Sequence, residues 1–377
     1  MSDDGVSRRR FLQTVAVSST GAALVSLPET LPAGPLAESN SISPVTVEAF
    51  PLAAPSQGAA LDHVKIVTAQ GMSDADQVRL REIRSNLDLK SCSSQDEFHR
   101  EVSSAEVIYG GFSREDLGVA KRLKWIQYTA AGVERILWPE LVEGPVVLTN
   151  MQRVYAPVIS ETAIALLLAL ARGLPQYVIQ TREHQWKGAS GLTEVSGMTM
   201  GIVGLGGIGT EIAYRAHYGF GMRILAVDPK PIPKPLFVAE LHSTDWLPKM
   251  VPQVDVLVCA APHTPVSEGM LKESVFRAMK PTAYFINVSR GKLVDTPALI
   301  RALEGGWIAG AGLDVAYKEP LPSDDPLWSA PNLIITCHTS AHSPRVAERR
   351  MSLFCENVRR YFGGLPLLNV VDKKRGY

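Results

Sequence analysis

The chain has 377 residues, of which 46% are hydrophobic and 20% are charged, and its formal net charge at pH 7 is zero. These values are typical of a globular protein long enough for two domains, and they exclude a disordered or fibrous chain. A chain with no net positive charge lacks the electrostatic footprint of a nucleic-acid-binding protein, and its four scattered cysteines lack metal-ligand spacing. We therefore expect neither a nucleic-acid partner nor a bound metal.

The first 37 residues have the features of an export signal. A run of arginines directly precedes Phe11 and Leu12, which resembles the twin-arginine export consensus, and an uncharged stretch follows as far as Pro28. That stretch is too weakly apolar to favour a permanent membrane span. We therefore expect residues 1–37 to engage the twin-arginine export machinery and direct the protein to the periplasm. A disordered tail or a single anchoring helix is the alternative.

Residues 38–61 have the composition of a proline-rich linker. From there the chain alternates short β-rich runs with helical patterns, which predicts a parallel α/β unit over residues 62–153. The predicted strands of this first unit are His63–Ala69, Ala105–Tyr109, Leu123–Tyr128 and Val146–Thr149.

The segment Val158–Ala171 is apolar on nearly every side after its first turn. It is too short to cross a bilayer, so we predict a helix buried between domains or between subunits. Gly173 and Pro175 are expected to end it.

A second α/β unit begins at Met198. Its predicted strands alternate steadily with helices, which indicates a doubly wound parallel sheet. These strands are Met200–Val203, Arg223–Val227, Asp255–Cys259, Tyr284–Val288, Gly310–Leu313 and Leu333–Thr336.

The first strand of this unit leads into a glycine-rich turn with the pattern GxGxxG, formed by Gly204, Gly206 and Gly209. The turn follows an apolar strand and opens a predicted helix, Ile208–His217, which is the context of a dinucleotide-binding site. In such a site the first glycine allows the tight turn, the second allows backbone to approach the pyrophosphate, and the third allows close helix–strand packing.

Asp228 directly follows the next predicted strand. A carboxylate at this position accepts hydrogen bonds from the ribose hydroxyls of NAD and repels the 2′-phosphate of NADP. NAD is therefore the expected cofactor, although Lys230 nearby would soften the preference.

Three polar residues follow later strands of the same unit: Arg290 in NVSRG, Glu319 in GLDVAYKEP, and His338 after IITC. Ligands gather at the carboxyl ends of strands in open α/β sheets, so these side chains are candidates for one site. Hydride transfer to a carbonyl needs a group that holds the substrate and one that moves a proton. His342 competes with His338 for the second task, and Arg290 could instead form an ion pair with Asp295 or Glu319.

Together with the glycine turn, these motifs resemble those of the D-isomer-specific 2-hydroxyacid dehydrogenases, over most of residues 62–372. The resemblance implies a Rossmann NAD-binding domain over residues 154–341, inserted in a flavodoxin-like substrate domain formed by residues 62–153 and 342–377. It also implies a homodimer, formed through the apolar helix Val158–Ala171, and an activity that interconverts a small D-2-hydroxy acid and its 2-oxo acid.

The resemblance also implies residue roles. Arg290 would bind the substrate carboxylate, His338 would be the acid in reduction and the base in oxidation, and Glu319 would hold its imidazole and favour the protonated form. Backbone amides of Ala131 and Gly132 would hold the carboxylate from the other domain. Further contacts to the cofactor would come from Gly207 and Ile208 at the pyrophosphate, and from Val288, Ser289 and Asp314 at the nicotinamide.

The sequence departs from the family pattern at His263, usually apolar, at Cys337, usually proline, and at Gly207, commonly arginine. These changes put substrate preference in doubt more than reaction type. A non-catalytic NAD(H)-binding sensor or corepressor-like protein on the same fold is the alternative, because fold alone does not exclude it. Oxidation of formate or phosphite is disfavoured by Glu319 and by the absence of lysine at residues 130–132.

Overall fold

The structure is a computed structural model that describes residues 64–377. The predicted export signal (1–37), the predicted linker (38–61) and the first two residues of the predicted first unit lie outside the described residues. Within the described part, the chain forms two sheets, and every strand pair in both sheets is parallel.

The first sheet has five strands in the order β2-β1-β3-β4-β5. This is the order of flavodoxin-like folds. Its strands are β1 (Lys65–Thr68), β2 (Asp88–Ser91), β3 (Val107–Tyr109), β4 (Trp125–Gln127) and β5 (Val147–Thr149). The helices formed along this part of the chain are Asp74–Ile83, Gln95–Val102, Arg114–Val119 and Pro139–Glu143.

The second sheet has seven strands in the order β12-β11-β10-β9-β6-β7-β8. Its strands are β6 (Thr199–Val203), β7 (Arg223–Val227), β8 (Glu240–His242), β9 (Val256–Cys259), β10 (Tyr284–Asn287), β11 (Gly310–Leu313) and β12 (Leu333–Ile335). Helices and 3₁₀ turns in this part of the chain are Ala156–Ala171, Leu174–Arg182, Gly207–Phe220, Thr244–Trp246, Leu247–Met250, Val251–Gln253, Glu273–Ala278, Gly291–Leu293, Thr296–Glu304 and Pro326–Ser329. Apolar clusters cover both faces of the sheet, so the predicted doubly wound architecture is confirmed.

The helix Ala156–Ala171 begins two residues before the predicted start and ends where predicted. Its buried side chains, including Ile159 and Leu166, pack with Met200 and Ile202 of β6. Much of the apolar surface of this helix is therefore buried against other parts of the same chain. No single helix among residues 64–377 has the length and apolarity of a membrane span; the bent pair Ala156–Ala171 and Leu174–Arg182 passes that test only jointly.

The chain returns to the five-stranded sheet through its last helix, Pro344–Phe362. The ring of Phe354 stacks on Tyr109 of β3 at a centroid distance of 4.2 Å. The Asn357 side chain donates a hydrogen bond to the amide oxygen of Gln127, with a separation of 2.8 Å in the buried interior. The seven-stranded unit is therefore an insertion between two parts of the chain that share one core.

Candidate active site

One cleft of about 1400 Å³ contains most of the predicted site residues. Its walls include the residues that follow β6, β7, β9 and β10 of the seven-stranded sheet and the loop that follows β4 of the five-stranded sheet. Strand carboxyl ends from both sheets thus meet at the cleft, as expected for open parallel sheets.

The glycine turn forms one wall of the cleft and has the shape that a pyrophosphate requires. Gly204 adopts a φ of +90°, and a Cβ there would lie 2.7 Å from the Cα of Ala261. A Cβ at Gly209 would lie 2.1 Å from the carbonyl oxygen of Gly204, so the helix Gly207–Phe220 can only approach this closely without a side chain. A Cβ at Gly206 would have no atom nearer than 3.8 Å, so this backbone is accessible from the cleft. The turn fits a nucleotide diphosphate at the helix N-terminus.

Asp228 directly follows β7 and lines the same cleft. Its carboxylate accepts hydrogen bonds from the backbone N–H groups of Leu205 and Lys230, each at 2.9 Å. Burial raises the pKa of Asp228, and the two backbone bonds and the charge of Lys230 act in the opposite direction. The ammonium of Lys230 lies 4.2 Å from the ring centroid of Tyr377, which adds a second chain segment to this end of the cleft.

Arg290 reaches across the cleft to the loop that follows β4. Its Nε donates to Glu134 at 2.6 Å and its Nη1 donates to the carbonyl oxygen of Ser289 at 2.8 Å. The guanidinium packs so closely on Gly132 that a Cβ there would lie 1.9 Å from Nη2. The alternative pairing of Arg290 with Asp295 or Glu319 is not formed, because the carboxylate that orients Arg290 is Glu134 of the other domain.

Glu134 is partly buried beside this guanidinium. Burial by itself raises the pKa of the carboxyl, but the charge and hydrogen bond of Arg290 outweigh that effect, so the pKa lies below its ordinary value. Glu134 is thus held ionised, and it fixes the direction of the Arg290 side chain.

His338 and Glu319 form the predicted pair. The carboxylate of Glu319 accepts from Nδ1 of His338 at 2.7 Å, and its other oxygen accepts from the backbone N–H of Ala316 at 3.1 Å. His338 adopts a φ of +55°, a costly conformation for a residue with a side chain, and its N–H donates to the carbonyl oxygen of Asp314 at 2.7 Å. With Nδ1 bound to Glu319, Nε2 is the ring nitrogen left for a ligand in the cleft.

The predicted site residues as a whole divide into those that line the cleft and those that do not. Those on the cleft wall are Ala131, Gly132, Gly204, Gly206, Gly207, Ile208, Asp228, Val288, Ser289, Arg290 and His338. Gly209, Asp314 and Glu319 do not line the cleft. The Asp314 side chain is buried and accepts hydrogen bonds from the Thr336 hydroxyl and from the backbone N–H groups of Thr339 and Ser340. Asp314 therefore holds the loop that carries His338.

The three departures from the family pattern also have defined positions. His263 lines the cleft and its Nε2 lies 3.2 Å from Glu268, while Cys337 is an exposed thiol. The missing side chain at Gly207 makes room for Arg153, whose Cγ would lie 2.7 Å from a Cβ there. No three His, Cys, Asp or Glu side chains come together as a metal-binding group within residues 64–377.

Several residues that line the cleft were not predicted from the sequence: Glu134, Gln152, Arg153, Arg350 and Tyr377. The one available signal was the position of Glu134, two residues after Gly132. The others come from segments with no motif and reach the cleft only through the tertiary fold.

Comparisons with known proteins agree with this architecture. Residues 164–340 match the D-isomer-specific 2-hydroxyacid dehydrogenase NAD-binding domain. A glyoxylate reductase of Korarchaeum cryptofilum is 36% identical over 262 residues, which is 68% of this chain and 78% of that protein. A family structure from Aeromonas salmonicida has a TM-score of 0.70 at 29% identity, covering 82% of this chain and 99% of the other. A Xanthobacter autotrophicus relative, solved with NADPH and MES, has a TM-score of 0.72 at 26% identity, covering 83% and 99%.

The fold and these relatives define an oxidoreductase with a Rossmann domain for a nicotinamide nucleotide. More specifically, the chain belongs to the D-isomer-specific 2-hydroxyacid dehydrogenase family. The predicted fold class and the predicted enzyme class are both confirmed.

Proposed function

We propose that the protein reduces a small 2-oxo acid to the D-2-hydroxy acid with NADH, and catalyses the reverse oxidation with NAD. The observation that carries this proposal is that Arg290 and His338 line the same cleft as the glycine turn and Asp228. The relative named glyoxylate reductase supports a small 2-oxo acid as the substrate class.

The chain offers a complete set of groups for the nucleotide, which supplies the hydride when it is bound. The turn Gly204–Gly209, with Gly207 and Ile208, would hold the pyrophosphate, and Asp228 would hold the ribose. Val288 and Ser289 would contact the nicotinamide side, and buried Asp314 would act there by fixing the surrounding loop.

The substrate carboxylate would lie between Arg290 and the backbone of Ala131 and Gly132. Nε of Arg290 already donates to Glu134, and Nη1 donates to the carbonyl oxygen of Ser289. Nη2, which lies beside Gly132, is therefore the donor best directed at the substrate carboxylate. Such a guanidinium would also polarise the neighbouring carbonyl.

His338 would donate the proton that the carbonyl oxygen needs during reduction and would take it back during oxidation. Glu319 accepts from Nδ1 and fixes the orientation of the ring. The carboxylate is itself fixed by Ala316 N–H, so the pair is arranged before substrate arrives.

The direct test is NADH oxidation by the purified chain with glyoxylate, hydroxypyruvate, pyruvate and phenylpyruvate. We expect turnover with at least one small 2-oxo acid. A chain that binds NADH but shows negligible turnover with every acid would support the sensor alternative instead.

NAD rather than NADP is the proposed physiological cofactor, because the Asp228 carboxylate lines the cleft directly after β7, where it would bind the ribose and repel a 2′-phosphate. Lys230 beside it would moderate this preference. Comparison of kcat/KM for NADH and NADPH at one 2-oxo acid concentration tests the proposal, and a ratio near one would contradict it.

A homodimer is the proposed assembly. Exposed apolar side chains lie on the helix Leu174–Arg182, which directly follows the predicted dimer helix: Leu174, Val178 and Ile179. Burial of such a patch against a second copy would remove apolar surface from water. Light scattering on the purified protein would show twice the chain mass.

Export to the periplasm by the twin-arginine machinery is also proposed, on the arginine run before Phe11 and Leu12. Replacement of Arg8 and Arg9 by lysine should leave the protein in the cytoplasmic fraction, whereas unchanged fractionation would contradict the proposal.

A further inference from the structure

Arg350 is a cationic side chain of the cleft that the proposed mechanism leaves without a task. It lies on the helix Pro344–Phe362 and lines the cleft. Within the described part of the chain, no carboxylate lies within salt-bridge distance of it, and its buried Nε has no hydrogen-bond partner. Burial of an arginine without a counter-ion costs free energy, and a bound anion would offset that cost.

The neighbours of Arg350 locate it at the substrate side of the cleft. Burial raises the pKa of both Tyr109 and Tyr155, and the positive charge of Arg350 acts against burial at both phenols. Tyr109 is the last residue of β3, and the Tyr155 hydroxyl donates to the carbonyl oxygen of Thr129, just ahead of the Ala131–Gly132 loop. Arg350 therefore lies near the carboxyl ends of β3 and β4, where a ligand of the five-stranded sheet is expected.

Arg290 and Arg350, two of the arginines that line the cleft, differ in their partners. Arg290 is neutralised and oriented by Glu134, as suits a group with one fixed position for the substrate carboxylate. No carboxylate among residues 64–377 forms an ion pair with Arg350, and its guanidinium interacts with the Tyr155 phenol. A second site for negative charge is thus built into the cleft beside the first.

We propose that Arg350 binds a second anionic group at the far end of the substrate, so that the preferred substrates are 2-oxo acids with a distal carboxylate or phosphate. This inference rests on the proposed function, because it assigns the substrate class of the same cleft. Guanidinium is suited to either anion, since both accept paired hydrogen bonds.

The test compares acids matched except for the distal charge. One pair is 2-oxoglutarate and 2-oxopentanoate, and the other is 3-phosphohydroxypyruvate and hydroxypyruvate. We expect kcat/KM for the anionic member of at least one pair to exceed that of its neutral partner about tenfold or more, the effect of one charge-assisted hydrogen bond. The pair that shows the preference identifies carboxylate or phosphate as the source.

Arg350→Met should abolish this preference while leaving kcat/KM for the neutral acids within about threefold of wild type. Titration of the same acids into the enzyme saturated with NAD, an unreactive combination, should show the loss as a raised Kd for the anionic acid alone. Arg349→Met is the matched control, because Arg349 also has a buried unpartnered Nε but does not line the cleft. The control should keep the preference, and thermal melting should confirm that both variants are folded.

Three outcomes would overturn the inference. Wild-type enzyme that reduces 2-oxo acids without regard to distal charge would refute it and leave the proposed function intact. A preference that survives Arg350→Met would show that another group reads the charge. Wild-type enzyme that reduces no 2-oxo acid at all would overturn the proposed function together with this inference.

Discussion

The pair formed by Glu319 and His338 allows a quantitative prediction for Glu319→Gln. One carboxylate oxygen accepts from His338 Nδ1 at 2.7 Å and the other accepts from Ala316 N–H at 3.1 Å. Glutamine has nearly the same size and keeps one oxygen acceptor, so the substitution removes the negative charge while leaving the loop packing in place.

The magnitude follows from the exposure of the pair. A hydrogen bond to a charged group contributes about 1.5–3 kcal/mol. The His338 side chain is 40% exposed and that of Glu319 is 28% exposed, so solvent screening places the effect at the lower end. Since about 1.4 kcal/mol corresponds to a factor of ten in rate, we expect kcat/KM for reduction to fall about tenfold.

The assay is NADH oxidation with the best 2-oxo acid at one fixed pH. Reduction would deliver a proton from His338 to the carbonyl oxygen, and Glu319→Gln weakens the contact that holds its ring for this transfer. We therefore expect kcat to fall while the Kd for NADH stays within about twofold of wild type.

A matched control is Glu268→Gln, which neutralises the carboxylate beside His263 on the same cleft rim. It should leave the rate unchanged. Activity of Glu319→Gln within twofold of wild type would refute the proposed role of this carboxylate.

Three further predictions concern other groups. Asp228→Ser should raise the NADPH/NADH ratio of kcat/KM at least about tenfold, and an unchanged ratio would show that the ribose is read elsewhere. Tyr361→Phe removes a buried 2.7 Å hydrogen bond to Glu106 and should lower the free energy of unfolding by about 1–2 kcal/mol in urea titration, with no change in KM. Although burial raises the pKa of Glu134, Arg290 lowers it below 4.5, so the pair stabilises the fold above that pH and the contribution is lost as the pH falls. Glu134→Gln should accordingly flatten the acid side of the stability curve, and a parallel curve would contradict this linkage.

Sequence patterns predicted every interior strand of both sheets but missed β2 and β8. These two strands are the outermost of their sheets on one side, and both are short, mostly polar and without a buried residue. An edge strand pairs along one side only and needs little apolar surface, so it leaves no hydrophobic period to detect.

The candidate site was predictable where a residue follows a strand and less so elsewhere. Arg290 and His338 reach the cleft because parallel strands end at one edge, a property that the sequence pattern carries. Glu134 and Arg350 reach it only because the two sheets face one cleft. Asp314 shows the opposite case, since its motif was recognised but its carboxylate is used to hold the loop beneath His338.

The most direct measurement for the central claim is the turnover of His338→Asn with NADH and a small 2-oxo acid, alongside the Kd for NADH from fluorescence. The proposed proton transfer predicts a loss of about 10²–10⁴-fold in kcat with the Kd within twofold of wild type. Near-normal turnover in this variant would contradict the assignment of His338 as the proton donor.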